Sequence, residues 1–311
     1  MPDAVPPVTM QCMEVWGGNQ AVDNGVTMPG LDAWVFSRPY HDESAGGDIH
    51  YVSSCATGRI ARLLIADVSG HGNAAAGSAR TLRELMRRYI NYIDQTRLVQ
   101  GLNAEFARLA RAGTFATAIA VTCWTPTDEI TITNAGHPRP LLYRTRSRSW
   151  QPVSEREVEP GAPVDGPRNL PLGILAPTGY DIAKLRLSSG DLLMLYTDSL
   201  IEAHAPGGPQ PGEAGLLRLL SDLDPSDPRT LIAALLERLE RAYGQPADDV
   251  TVLLIRPNSF KPRSSIFRAL VAGLRITAQT LTGVPRGHAA PIPEPTARNL
   301  LGAMFGRFND R

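Results

Sequence analysis

The feature that most constrains this chain is an aliphatic segment that ends in an aspartate. Residues 63–66 are Leu-Leu-Ile-Ala, and Asp67 follows them directly. A glycine-rich stretch comes next, and residues 74–93 then show apolar side chains every three or four positions, which is typical of a helix with one buried face. The pattern predicts a buried strand with a carboxylate at its end, at the rim of a sheet. Taken alone, Asp67 is explained just as simply as a turn residue.

Other acidic positions share this setting. Asp48 follows two glycines next to a predicted strand, Asp198 ends an apolar strand, and the pair Asp248-Asp249 precedes the last strand. No lysine or arginine lies within four residues of any of them in the sequence. Buried charges are generally paired or bound to metal, and converging carboxylates repel one another without a cation. Oxygen ligands favour Mg²⁺ or Mn²⁺ over zinc, and two such ions about 3.5–4 Å apart activate a water for attack on phosphorus.

The order of the predicted elements indicates an α+β fold. Many strands in an antiparallel style are interrupted by two pairs of helices, one between residues 74 and 109 and one between residues 214 and 243. The last helix has a good start at Asp227-Pro228. We predict a loose N-terminal lead-in over residues 1–30, one domain over residues 31–257, and a C-terminal tail over residues 258–311.

Charge is unevenly spread along a chain whose formal net charge is zero. Residues 258–311 carry eight lysines and arginines against two acids, a net charge of +6, which leaves −6 on the remainder. The overall balance gives no argument for nucleic acid, and we predict no such partner. Three interpretations stay open for the basic tail: a solvated segment, a membrane-surface helix, or a protein-docking helix within residues 263–308.

Cysteine usage and hydropathy indicate a cytoplasmic protein. The three cysteines, Cys12, Cys55 and Cys123, are an odd number without paired spacing, which favours reduced thiols. The N-terminus shows no basic, apolar leader, and no apolar run reaches the roughly 18–20 residues that a membrane span needs. We therefore expect a cytoplasmic location, peripheral to a membrane if the tail binds lipid. The sequence does not indicate an oligomeric state.

The aspartates belong to a series of short blocks spread over about residues 30–256. In order, the blocks are Gly46-Gly47-Asp48, Ala66-Asp67-Val68-Ser69-Gly70-His71-Gly72, Phe115-Ala116-Thr117, Asn134-Ala135-Gly136-His137-Pro138, Leu170-Pro171-Leu172-Gly173, Gly190-Asp191 through Tyr196-Thr197-Asp198, and Asp248-Asp249-Val250-Thr251. Together these blocks resemble the metal-dependent protein phosphatases of the PPM (type 2C-like) family, and specifically its bacterial SpoIIE/RsbU branch. Seven blocks in the family's order are far more specific than any single motif.

The resemblance implies a four-layer αββα sandwich of two antiparallel sheets flanked by helix pairs, in this chain with a C-terminal extension. It also implies two Mn²⁺ or Mg²⁺ ions in a cleft at one end of the sheets. The implied ligands are, in chain order, Asp48, Asp67, the backbone carbonyl of Val68, Asp198 and Asp248, with Asp249 as the alternative to Asp248. Asp67 would bridge the two ions, Asp48 would act directly or through water, and Asp67 and Asp198 are the predicted catalytic residues.

The implied reaction is hydrolysis of phosphoserine or phosphothreonine in a protein substrate by a metal-activated water. Relatives act on phosphorylated STAS-domain proteins in bacterial partner-switching systems, so that substrate enters by analogy. Ser199 stands where family members usually have glycine, which is expected to strain the turn, and no clear counterpart of the phosphate-binding arginine is found, Arg38 being the nearest candidate. The alternative function is a catalytically silent, phosphatase-like binding module, with Ser199 as a sign of decay.

Two histidines lie in the matching blocks. His71, between two glycines, is a candidate general acid, but a turn or a hydrogen bond to the metal site explains it as well. His137, in Asn-Ala-Gly-His-Pro, is expected to be structural. A nucleotide cradle at residues 70–72 is not supported, because the lysine and hydroxyl residue of a P-loop do not follow.

Overall fold

Two sheets pack face to face, and a pair of helices covers the outer surface of each. The structure is a computed structural model, and it describes residues 8–10, 15–55, 58–70, 72–89, 92, 94–110, 113–154, 158–159 and 166–260. This architecture confirms the predicted α+β fold, with two largely antiparallel sheets.

The described residues form strands and helices in an order that alternates strand-rich and helical segments. The strands are β1 (Val8–Thr9), β2 (Val15–Gly18), β3 (Val22–Met28), β4 (Leu31–Arg38), β5 (Asp48–Cys55), β6 (Ile60–Val68), β7 (Ala116–Trp124), β8 (Glu129–Ala135), β9 (Leu141–Arg144), β10 (Ser149–Pro152), β11 (Val158–Glu159), β12 (Ile182–Arg186), β13 (Leu192–Tyr196) and β14 (Val250–Pro257). The helices are α1 (Gly72–Tyr89), α2 (Gln95–Leu109), α3 (Ser199–Glu202), α4 (Gly212–Ser221) and α5 (Pro228–Tyr243), with a 3-10 turn at Tyr40–Asp42.

The first sheet has the strand order β1-β3-β4-β14-β13-β9-β10, and the second has the order β11-β12-β8-β7-β6-β5-β2. Successive side chains of a strand point to opposite faces. In β6, Leu63 and Ile65 therefore join the core between the sheets, while Leu64 and Ala66 pack in the cluster that contains α1 and α2. Because β6 is buried on both faces, residues 63–66 form a continuous apolar run rather than an alternating pattern.

Residues 22–28 belong to the first sheet, not to the loose lead-in expected for residues 1–30. β3 pairs with β4 along its whole length, from Val22 opposite Ser37 to Met28 opposite Leu31. Gly30 closes this hairpin with a φ of 83°, which glycine adopts without strain. The strand is hard to detect in the sequence because it contains Asp-Asn-Gly, a combination that is typical of turns.

At the other end of the domain, residues beyond 257 still contact the sheet. The Asn258 N–H donates to the Gly30 carbonyl at 3.1 Å, and the Gly30 N–H donates to the Phe260 carbonyl at 2.5 Å. The predicted boundary at residue 257 would cut through these contacts. The docking segment predicted within residues 263–308 lies outside the described residues and stays a prediction. No helix in the described part of the chain is long and apolar enough to cross a membrane.

Candidate metal centre

Two of the predicted ligands face each other on neighbouring strands of the second sheet. Asp48 begins β5, Asp67 lies one residue before the end of β6, and the two are direct partners in the antiparallel register. Direct partners on antiparallel strands have side chains on the same face of the sheet. On its other side, Asp67 is the partner of Thr117 in β7. The aliphatic strand therefore carries Asp67 to one end of the sandwich, next to Asp48.

The first sheet reaches the same place through the residues that follow β13. The hydroxyl of Thr197 donates to Oδ2 of Asp48 at 3.0 Å and accepts the N–H of Thr251 at 2.9 Å. Asp198 comes next, at the N-cap position of the short helix α3. Asp48 and Thr197 are only 3% and 0% exposed, so this contact between the two sheets is shielded from water. The structure thus places Asp48, Asp67 and Asp198 at the same end of the sandwich.

Asp249 is held by backbone N–H groups. Its Oδ1 accepts from Tyr40 at 2.7 Å, and its Oδ2 accepts from Gly47 at 2.6 Å. A longer contact of 3.4 Å joins Oδ2 to the N–H of Asp48. Hydrogen bonds to an ionised acceptor are among the strongest in proteins. The Asp249 carboxylate therefore fixes the turn of residues 46–48, which positions Asp48.

The glycines of this turn give the Asp249 carboxylate its space. A Cβ on Gly46 would lie 2.5 Å from Cγ of Asp249, closer than atoms can approach. A Cβ on Gly47 would lie 3.0 Å from the backbone oxygen of Val68, so that carbonyl, a predicted ligand, lies beside the same turn. Packing at the candidate site therefore requires glycine at position 46 and leaves little room for a side chain at position 47.

The carboxylates at this end of the sandwich raise one another's pKa. Burial and the charge of Asp67 raise the pKa of Asp48 well above its usual range, although hydrogen bonds from Thr251 and Thr197 act in the opposite direction. Burial raises the pKa of Asp67 to about 7, and the charges that add to this shift are Asp198, Asp248, Asp249 and Glu202. The neighbouring charges in each case are carboxylates. A bound cation would reverse this repulsion.

Glu202 is a member of this acidic group that sequence reasoning misses. Its charge raises the pKa of both Asp67 and Asp198. It follows Asp198 by four residues in α3, and the Glu202 N–H donates to the Asp198 carbonyl at 2.9 Å. Residues four apart lie on one side of a helix. The signal is the spacing of these two acids, which shows only once residues 199–202 are recognised as a helix.

Asp248 differs from Asp249 in its surroundings. Asp248 is exposed, and its charge raises the pKa of both Asp67 and Asp198. Both carboxylate oxygens of Asp249 accept backbone N–H groups, Oδ1 from Tyr40 and Oδ2 from Gly47. Asp249 is therefore a positioning residue for the turn, and the choice between Asp248 and Asp249 as the ligand stays a prediction.

The donor set fits a hard divalent cation. It consists of carboxylate oxygens and one backbone carbonyl, the ligands that Mg²⁺ and Mn²⁺ prefer. Among the described residues, no three acidic, histidine or cysteine side chains are gathered closely enough to hold an ion as they stand. Carboxylates that repel one another are expected to stand apart until a cation lies between them.

Comparison with known proteins assigns the family. The model of the stage II sporulation protein E (SpoIIE) family matches residues 57–258, about two thirds of the chain. The chain belongs to the SpoIIE family. The predicted resemblance to the SpoIIE/RsbU branch is thereby confirmed.

Relatives of this SpoIIE-family protein share the fold and part of the sequence. Stage II sporulation protein E of Bacillus subtilis (strain 168) is 29% identical over 96 residues, which cover 30% of this chain and 11% of that protein. The match therefore spans about a tenth of the curated relative's length. The crystal structure of the RsbU and RsbW domains of Rv1364c from Mycobacterium tuberculosis is 25% identical, with a TM-score of 0.61 over 88% of this chain and 73% of that chain.

A second solved structure is the PP2C phosphatase domain, with a fragment of the regulatory domain, of SpoIIE from Bacillus subtilis. It is 19% identical, with a TM-score of 0.58 over 79% of this chain and 64% of that chain. At this identity the likeness shows the fold alone. The SpoIIE-family protein therefore has the fold of PP2C-type serine/threonine phosphatases.

The histidines and Arg38 have different outcomes in this SpoIIE-family protein. His71 lies outside the described residues, so its role stays a prediction. His137 is buried, and its Nδ1 lies 2.7 Å from the hydroxyl of Thr117. Burial lowers the pKa of His137 to about 3, and Asn134 binds both its backbone N–H and its carbonyl, which supports the predicted structural role. Arg38 forms an ion pair with Glu240 of α5 at 2.9 Å.

Ser199 causes none of the expected backbone strain. It is the first residue of α3, and the residues with positive φ other than glycine in the described chain are His41, Asp128, Arg148 and Asn169. A serine in helical conformation needs no glycine-like freedom. The departure from the family pattern at this position is therefore not evidence of decay.

The role of Asp249 leads to a stability prediction. Asp249→Asn should lower the free energy of unfolding by about 1–3 kcal/mol, because an amide nitrogen would face one of the backbone donors that a carboxylate now satisfies. Urea unfolding followed by circular dichroism would measure the change. Asp222→Asn is the matched control, since this exposed carboxylate at the end of α4 should leave stability near the wild-type value. Equal stability of the two variants would show that Asp249 does not hold the turn.

Proposed function

We propose that this SpoIIE-family protein is a Mn²⁺- or Mg²⁺-dependent phosphatase that hydrolyses phosphoserine or phosphothreonine in a protein substrate. The observation that carries the proposal is the convergence of Asp48, Asp67 and Asp198 from both sheets on one end of the sandwich, where the neighbouring charges that shift their pKa values are negative. PP2C-type phosphatases depend on Mg²⁺ or Mn²⁺, which agrees with this donor chemistry.

Each residue of the centre has a distinct part in this proposal. Asp67 would contact both ions, Asp48 would serve one of them, and Asp198 and Asp248 would serve the other, with the Val68 carbonyl as a further ligand. When bound, the two ions would supply an activated water for attack on phosphorus. Two further residues orient Asp48. Asp249 holds the turn before it, and Thr197 donates a hydrogen bond to its carboxylate.

The substrate and the setting are proposed by analogy. The family acts on phosphoproteins in partner-switching systems. We therefore propose a phosphorylated STAS-domain protein as the substrate class, in bacterial signalling in the cytoplasm. The similar structure from Mycobacterium tuberculosis contains RsbU and RsbW domains, which agrees with such a setting.

The test is a phosphatase assay on the purified full-length chain. Hydrolysis of p-nitrophenyl phosphate and of phosphoserine and phosphothreonine peptides would be measured with Mn²⁺, with Mg²⁺ and after chelation with EDTA. We expect activity with either ion and none after chelation. A folded protein that is inert with several metals would refute the proposal and favour the catalytically silent binding module.

The basic tail leads to a separate prediction. A helix in this segment would have one apolar face, formed by Phe267, Leu270, Leu274, Ala278 and Leu281. If residues 263–308 bind a membrane surface or a protein, the double variant Phe267→Asp, Leu274→Asp should weaken that binding at least about tenfold, because two large apolar side chains are lost from this predicted helix face. Co-sedimentation with vesicles containing anionic lipid would measure binding to a membrane surface. A chain ending at Phe260, which keeps the contacts of residues 258–260, is the control. Tight vesicle binding that the double variant retains would contradict the predicted helix face.

A further inference from the structure

A group of buried hydroxyls lies beneath the candidate metal centre. Its members are each 4% exposed or less: Ser37, Thr197, Ser199 and Thr251. Thr197 donates to the Asp48 carboxylate at 3.0 Å, and the hydroxyl of Thr251 lowers the pKa of the same carboxyl. Each of these threonines is in turn within hydrogen-bond distance of a serine, Ser199 at 3.3 Å from Thr197 and Ser37 at 3.0 Å from Thr251.

The hydrogen bonds of Thr197 can be assigned by counting donors and acceptors. A hydroxyl has one proton to donate and two lone pairs with which to accept. The Thr251 N–H, 2.9 Å away, can only donate, so it occupies one lone pair. As a metal ligand Asp48 is ionised and can only accept, so it takes the single proton of Thr197. Because its proton goes to Asp48, Thr197 can only accept in its contact with Ser199, so that bond runs from the serine hydroxyl to the second lone pair of Thr197.

The Thr197 proton has a competing acceptor. The carbonyl of Thr251 lies 3.4 Å from Oγ1 of Thr197, in addition to the Asp48 carboxylate at 3.0 Å. With both lone pairs occupied, one direction remains for the O–H bond, and it points to Asp48. Without the Ser199 hydroxyl, one lone pair of Thr197 loses its donor, so the O–H bond can also turn towards the more distant Thr251 carbonyl, and its bond to Asp48 is weakened.

We propose that Ser199 is a positioning residue of the metal centre, whose hydroxyl binds Thr197 and thereby commits the Thr197 proton to Asp48. The inference rests on the proposed function, since Asp48 is a ligand only if the centre binds metal. It gives a role to Ser199, which follows Asp198 at a position where family members usually have glycine. Ser199 contacts neither substrate nor metal in this scheme and acts through Thr197 alone.

The test measures Mn²⁺ affinity by isothermal titration calorimetry on the full-length chain. Ser199→Ala and Ser199→Gly should each weaken binding about three- to tenfold, the effect of one lost hydrogen bond behind a metal ligand. Ser199→Thr keeps the hydroxyl and should restore affinity to within about twofold. In a Thr197→Val background, Ser199→Ala should cause no further loss, because the group through which it acts is gone.

A matched control separates this role from general destabilisation. Thr125, at the opposite end of the sheets, is 2% exposed and donates to the Gly58 carbonyl at 2.6 Å. Thr125→Val should lower the melting temperature and leave Mn²⁺ affinity unchanged. Wild-type binding that Ser199→Ala and Ser199→Gly both retain would overturn the inference and leave the proposed function standing. A wild-type protein without measurable Mn²⁺ binding would overturn the proposed function, and the inference with it.

Discussion

Asp67→Asn is expected to reduce Mn²⁺-dependent hydrolysis of p-nitrophenyl phosphate by at least about a thousandfold. The negative charges of Asp198, Asp248 and Asp249 all raise the pKa of Asp67, so its carboxylate lies at the centre of the acidic group. Asparagine keeps the shape of the side chain and removes the charge that would hold two cations together. Steady-state kinetics over a range of Mn²⁺ concentrations would show whether rate or metal affinity is lost.

The same substitution should have the opposite effect on the stability of the metal-free protein. Burial and, after it, the surrounding carboxylates raise the pKa of Asp67 from 3.8 to about 7. The folded state therefore keeps a proton that the unfolded state releases, and this contribution to stability is full below about pH 4 and is lost as the pH rises through about 7. In EDTA, the melting temperature of the wild type should fall over that range, and Asp67→Asn should fall less.

These two readouts together separate a metal centre from a merely acidic patch. Mn²⁺ should raise the melting temperature of the wild type at pH 8 and should raise that of Asp67→Asn much less. Asp222→Asn, which removes an exposed carboxylate at the end of α4, should behave as the wild type in both assays. Full activity in Asp67→Asn would exclude the proposed role of this residue.

Parts of the fold could be predicted because local chemistry and tertiary packing agree there. The start of α5 is an example: Asp227 caps the helix by accepting from the Arg229 N–H, and Pro228 is the first helical residue. The central part of β6 is another, because burial on both faces produces the apolar run of residues 63–66. β3 could not be predicted, since its pairing with β4 overrides a sequence typical of a turn.

The candidate site shows the same division. Asp48, Asp67 and Asp198 could be predicted because each lies at the end of a strand, and the family's blocks fix their order. The positioning role of Asp249 could not be predicted, because its partners lie about 200 residues away in the chain. They are the backbone N–H groups of Tyr40 and Gly47. Sequence patterns record side-chain types, whereas a contact of this kind depends on how two distant loops meet.

Gly46→Ala is expected to lower the free energy of unfolding by about 2–4 kcal/mol, although it adds a single methyl group. The new Cβ would lie 2.5 Å from Cγ of Asp249. The carboxylate cannot move away without losing hydrogen bonds, because it accepts the N–H groups of Tyr40 and Gly47 at 2.7 and 2.6 Å. The chain must therefore shift the turn or give up charge-assisted hydrogen bonds, and both responses are costly.

Gly77→Ala is the matched control, and it should change stability in the opposite direction. A Cβ on Gly77 would meet no atom within 4 Å, and the residue lies inside α1, where alanine is favoured over glycine by about 0.5–1 kcal/mol. Chemical denaturation of both variants would measure the two changes. In an Asp249→Ala background, the cost of Gly46→Ala should largely disappear, because the atoms that it strikes are gone. If instead the cost is unchanged in that background, the turn is held by something other than the Asp249 carboxylate, and the account of how Asp48 is positioned fails with it.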